Sequence, residues 1–81
     1  MEIILKKQAR KYLDSVDTNT RKKLYKALEK LSNLDGNIVR LEGSANRYRF
    51  KIEHYRILFE REKGKAIITV IEINTRSNIK Y

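Results

Sequence analysis

Between Tyr48 and Phe59 apolar and charged residues alternate. Tyr48, Phe50 and Ile52 fall on one parity; Arg47, Arg49, Lys51 and Glu53 fall on the other. This period of two predicts a half-buried strand. Glu53-His54 is read as a tight reversal, with Tyr55 to Phe59 returning as a second strand. The hairpin would then hold three to four cations above an aromatic floor. Elsewhere the spacing changes. Glu2 to Leu5 is a short apolar run, read as a first strand. Ala9, Tyr12, Leu13 and Val16 follow i, i+3, i+4, i+7, the stripe of an amphipathic helix. Asp17-Thr18-Asn19-Thr20 gathers cap-forming residues and predicts a break between two helices. Leu24, Leu28, Leu31 and Leu34 make the stripe of the second, with Ala27 as its close-packing position. Arg21, Lys22, Lys23, Lys26 and Lys30 are expected on its solvent side. Asp35-Gly36-Asn37 should end it, with Gly36 as the left-handed cap.

Ile38 to Leu41 is read as a short edge strand and Glu42 to Asn46 as a loop. Glu62-Lys63-Gly64-Lys65 is read as a polar hairpin turn. Ala66 to Asn74 is the most apolar stretch, with apolar residues on both parities, so burial on both faces and a central place in the sheet are expected. Thr75 to Tyr81 is a polar tail. Strand, helix, helix and then a run of strands predicts an α+β fold. An N-terminal helical hairpin should pack on one face of a mostly antiparallel β-sheet, in a single domain spanning 1–81.

Composition narrows the partners. Among 81 residues there are 19 Lys and Arg against 10 Asp and Glu, a net charge of +9. Such a field favours a polyanion, nucleic acid first, or an acidic protein. There is no Cys and a single His, which excludes disulfides, thiolate sites and any multi-histidine metal site. No metal and no cofactor are therefore expected. The richest apolar window is far shorter than the roughly 20 residues of a bilayer span, so a cytoplasmic, soluble protein with no membrane partner is expected.

The candidate chemistry is basic. Arg49 and Lys51, two apart on a strand, share a face at about 7 Å. Arg56 lies across the turn, and Arg76 reaches the same region if the last strand neighbours the hairpin. Guanidinium forks match phosphate oxygens, and a Lys among other cations loses basicity and can act as a general base. A solvated polar sheet face accounts for the same pattern. The terminal Tyr81 is either a phenol ordering a reacting hydroxyl or a frayed end. His54 fits a turn residue better than an acid or base. Tyr48, Phe50, Tyr55 and Phe59 alternate with charge as core residues do, and Tyr12 and Tyr25 are read as packing residues on helices.

Leu41-Glu42-Gly43, Tyr48-Arg49-Phe50-Lys51-Ile52, Tyr55-Arg56-Ile57 and the apolar strand leading to Arg76 together resemble the RelE/ParE superfamily of toxins from type II toxin–antitoxin pairs. The resemblance spans nearly the whole chain and implies the same α+β fold, RelE-like. RelE-type members are mRNA interferases, endoribonucleases that cut mRNA in the ribosomal A site by attack of a 2′-hydroxyl, without metal, and so inhibit translation. By position the resemblance implies catalytic roles for Arg49, Lys51, Arg56, Arg76 and Tyr81, although Tyr81 stands one residue closer to Arg76 than the pattern expects. The first basic position, often Lys in RelE members, is Arg49 here, and an arginine does not serve as a base. Arg47, Lys22, Lys23 and Lys26 would grip RNA phosphates. The implied partners are the ribosome, its mRNA and an antitoxin with an acidic or amphipathic wrapping segment. The alternatives are a ParE-type toxin that inhibits DNA gyrase without cutting RNA, and a basic nucleic-acid-binding protein.

Overall fold

The computed structural model describes residues 1–62 and 64–81. The elements are β1 (Glu2–Leu5), α1 (Lys7–Ser15), α2 (Thr18–Ser32), β2 (Asn37–Arg40), β3 (Arg47–Ile52), β4 (Tyr55–Arg61) and β5 (Ile67–Thr75). The five strands form one sheet in the order β1-β5-β4-β3-β2. Only the β1–β5 pair is parallel; the other three are antiparallel. The α+β fold expected from the chain is the fold observed.

One face of the sheet takes both helices. Ala9 and Leu13 of α1 and Leu24, Ala27, Leu28 and Leu31 of α2 meet Phe50, Ile57, Phe59, Ile68, Val70 and Ile73 in a single buried cluster. Tyr12 packs at its margin, and burial, then the neighbouring Tyr55, pushes its hydroxyl above the ordinary phenol range. Tyr25, expected to pack, is instead 51% exposed.

Two helix ends are built differently from the sequence expectation. Asp17 caps α2 as expected, its carboxylate accepting from the Thr20 amide and hydroxyl. Arg21, expected in solvent, turns back to the end of α1 and donates to the carbonyls of Leu13 (2.7 Å), Asp14 (3.2 Å) and Val16 (2.9 Å). A guanidinium at a helix C-terminus satisfies orphan carbonyls and opposes the negative end of the dipole. At the other end, α2 stops at Ser32 rather than continuing through Leu34. Leu34 takes the left-handed position (φ 53°), donating its N–H to the Leu31 carbonyl while Asp35 donates to that of Lys30. Those two bonds form the Schellman pattern. Gly36 (φ 133°) serves the turn into β2, where a Cβ would stand 2.9 Å from the Phe50 ring.

The double-parity pattern of β5 also has another cause. Leu58 pairs with Glu72 but Phe59 with Val70, so Ile71 is an extra residue in a bulge. The bulge switches parity, letting Ile68 and Val70 before it and Ile73 after it all face the core. The strand buried on both faces is β4, where Arg56 through Phe59 are all buried. Past Val70, β5 has no β1 residue beside it. Gln8 of α1 takes that place: its Nε2 donates to the Ile73 carbonyl and its Oε1 accepts from the Ile73 N–H, both at 2.9 Å.

Of the expected Glu62–Lys65 turn, Lys63 lies outside the described residues. The Lys65 amide donates to the Glu62 carbonyl. No helix among the described residues is long and apolar enough to cross a membrane.

Candidate functional site

The face of the sheet away from the helices carries Arg47, Arg49, Lys51 and Arg56. Its frame is the β3–β4 hairpin, whose two-residue turn places Glu53 at φ 52°. Lys51 stands directly opposite Arg56, with Asn37 of β2 and Asn74 of β5 completing that row. The next row is Val39, Arg49, Leu58 and Glu72; beyond it Arg47 faces Glu60. Adjacent strands lie about 4.8 Å apart, so Arg49, Lys51 and Arg56 are immediate neighbours. Arg76 donates its amide to the His54 carbonyl at 2.7 Å, which holds its backbone beside the turn, at the Lys51–Arg56 end of the sheet.

Glu53, expected on the basic face, leaves it. Its carboxylate meets Lys23 of α2 at 3.0 Å on the helix side. The reason is its left-handed backbone, which breaks the strand alternation at the turn. The basic face thereby loses an acid, and Lys23 is engaged in an ion pair.

Arg56 is only 6% exposed. Its Nη1 donates to the main-chain carbonyls of Glu53 (3.0 Å) and Tyr55 (2.8 Å). The ion pairs among the described residues are Lys23–Glu53, Arg47–Glu60 and Lys65–Glu62, so none involves Arg49, Lys51 or Arg56. The half-buried Arg49 has a buried Nε with no hydrogen-bond partner. Charges withdrawn from water without a counter-ion are costly. Two carbonyls offset part of that cost at Arg56; an anion seated over Arg49, Lys51 and Arg56 would offset more. Lys51 itself is exposed to solvent.

The C-terminal tail bends back toward this face. Asn78 and Ile79 both donate to the Thr75 carbonyl, and the Lys80 amide reaches Glu72 Oε2 at 3.4 Å. Tyr81 therefore follows a residue anchored in the Arg49–Leu58–Glu72 row, with its side chain 59% exposed. Lys22 and Lys26 are exposed on α2, in the layer covering the opposite face of the sheet. They do not join the sheet cations. Arg47 lies on the basic face but is drawn to Glu60 at 3.5 Å. His54 sits in the turn, exposed and tilted against Tyr55. Tyr48 and Phe59 stack on each other on the helix side, with centroids 5.4 Å apart.

Two structural side chains were not foreseen in the chain. Gln8 carries no signal, being one polar residue on a helix. Arg21 does carry one: a cation in the first turn of α2 opposes that helix's own dipole, which implies a specific acceptor elsewhere. Among the described residues no cluster of three or more His, Cys, Asp or Glu can hold a metal ion.

Residues 3–79 match the family described as the ParE toxin of the type II toxin–antitoxin system, parDE. No curated protein matches the sequence. Several solved structures share the fold. The RelB–RelE antitoxin–toxin complex from Methanococcus jannaschii is 24% identical, with 91% of each chain covered and a TM-score of 0.73. The RelE–RelB complex from Pyrococcus horikoshii OT3 is 16% identical over 96% of this chain and 97% of that one, with a TM-score of 0.75. The isolated E. coli RelE toxin is 19% identical over 91% of this chain and 82% of that one, with a TM-score of 0.73.

Proposed function

Since this chain belongs to the ParE toxin family of type II toxin–antitoxin systems, we propose that it acts as a ribosome-dependent endoribonuclease, with the basic sheet face as its active site. The observation that carries this reading is the buried Arg56 guanidinium, directly opposite Lys51, with only main-chain carbonyls as acceptors. That is a seat for a phosphate. In the proposed reaction Lys51 accepts the proton of a ribose 2′-hydroxyl that Tyr81 orders. The 2′-oxygen bonds to the adjacent phosphorus and the P–O5′ bond breaks, leaving a 2′,3′-cyclic phosphate and a 5′-oxygen. Arg56 and Arg49 stabilise the charge growing on the phosphoryl oxygens. Arg76 stabilises the leaving oxygen, which takes its proton from solvent as Lys51 returns its own. Arg47, Lys22, Lys23 and Lys26 would hold ribosomal RNA by its phosphates.

The test is primer extension on a translated message after induction. Lys51→Ala should lower A-site cutting at least about 100-fold, the contribution of a positioned general base, with an unchanged circular-dichroism spectrum. Undiminished cutting removes the mechanism. A second reading, inhibition of DNA gyrase, is favoured by the match to the ParE family. It predicts loss of supercoiling, intact messages, and toxicity that survives Lys51→Ala. The structural relatives solved as antitoxin complexes support an antitoxin partner here. With a charge of +9, the wrapping segment should be acidic or amphipathic, and its co-expression should restore growth.

A further inference from the structure

A second basic site lies on the other face of the sheet, at the far end of the hairpin from the Glu53–His54 turn. Arg40, Tyr48 and Arg61 share the parity of the core residues Ile38, Phe50 and Phe59. At this end of the sheet they line an open cleft of about 600 Å³ together with Ala45, Asn46, Glu62 and Gly64. That volume falls within the roughly 300–1,000 Å³ of small-ligand sites.

The wall of the cleft is pre-formed. Asn46 accepts the Arg61 amide on its carbonyl at 2.9 Å, and the Ser44 hydroxyl accepts the amides of Asn46 (3.4 Å) and Arg47 (3.0 Å). Among the described residues neither Arg40 nor Arg61 is in an ion pair. The one carboxylate of the lining, Glu62, is held by Lys65 at 2.8 Å. The floor is Tyr48, whose ring rests on Phe59 while also lining the cleft. A flat ring entering the cleft would extend that stack, and two guanidinium groups stand ready for an attached phosphate.

We propose that this cleft binds one unstacked nucleotide of a single-stranded nucleic acid, the base against Tyr48 and the phosphate between Arg40 and Arg61. Aromatic stacking with flanking arginines is the usual physics of single-strand capture. A carboxylate-rich peptide would use the arginines but not the stack, so the ring favours the nucleotide. The cleft and the Lys51–Arg56 patch occupy opposite faces, so this proposal stands whether or not the chain cuts RNA.

The experiment is an amide-resolved NMR titration of the whole chain with adenosine 5′-monophosphate, ribose 5-phosphate and a short poly-glutamate peptide. The monophosphate should shift Asn46, Tyr48 and Arg61. Ribose 5-phosphate should bind at least fivefold more weakly, and Arg40→Ala, at an exposed position, should weaken the monophosphate by at least fivefold. Lys51→Ala should leave binding at the cleft unchanged, which separates this site from the proposed active site. Equal binding by Arg40→Ala, equal binding of the base-free phosphate, shifts confined to Lys51 and Arg56, or tighter binding of the peptide would each overturn the assignment.

Discussion

Replacing Gln8 with leucine removes two hydrogen bonds and little volume. The side-chain amide stands in for a strand beside β5, bonded to both main-chain groups of Ile73 at 2.9 Å. Leucine leaves that N–H and that C=O with nothing to bond. A main-chain group stripped of its partner away from bulk water costs about 1–3 kcal/mol. Both bonds are only part-buried, so the pair should cost about 2–4 kcal/mol. A chain of this length has roughly 4–12 kcal/mol of total stability, and the loss should lower the melting temperature by roughly 10–25 °C. Urea unfolding and thermal melts measure the global effect. Hydrogen exchange at the Ile73 amide measures it locally, and that amide should lose protection first. Gln8→Glu keeps the acceptor but not the donor and should fall between. If Gln8→Leu is within about 0.5 kcal/mol of the parent, the size of a typical surface substitution, and Ile73 stays protected, the account of how α1 is fixed to the sheet is wrong.

Other substitutions probe the remaining joints. Arg21→Met keeps the aliphatic stem but strips the end of α1 of its three guanidinium bonds; a loss of about 2–3 kcal/mol is expected from urea titration, and Arg21→Lys should recover only part of it. Gly36→Ala combines a strained φ with a Cβ against the Phe50 ring, and should cost about 1–3 kcal/mol with a shift of the Phe50 ring resonances. The Asp17 carboxyl is held below its ordinary range, chiefly by the Thr20 hydroxyl and then the Thr20 amide. A depressed acid contributes stability above its unfolded value, about pH 4, and loses it as pH falls through the folded value. The difference in melting temperature between the parent and Asp17→Ala should therefore be full at neutral pH and shrink toward zero in acid.

What the chain reveals before folding depends on how local the cause is. The alternation from Arg47 to Ile52 needs only neighbouring residues, and it located the basic face and the core parity of β3. The Leu24–Leu31 stripe did the same for α2. Leu34 misled because an apolar residue at the right spacing continues a helix in pattern, whereas the helix had already turned left-handed at that residue. The double parity of β5 misled because a one-residue bulge and two-faced burial leave the same trace in sequence. Glu53 kept its parity on paper but lost it at the turn. Arg21 and Gln8 find their partners 5–8 and 65 residues away, and no local rule reaches the second. In the site, Lys51 beside Arg56 followed from hairpin register alone. The burial of Arg56 did not, because it depends on β5 lying alongside.

The parallel pairing of β1 with β5 sets the order in which the molecule is completed. Residues 2–5 are made first, yet their partners are residues 67–70. A growing chain can form the helical hairpin and the β2–β3–β4 meander while its opening strand still lacks a neighbour. Closure of such a long loop is slow compared with local pairing. The sheet, and with it the strand that leads to Arg76 and Tyr81, is therefore assembled only after β5 has been made. A copy that stops before β5 would carry the basic hairpin without the strand that flanks Arg56. Synthesis through β5 thus becomes a built-in condition for a complete sheet.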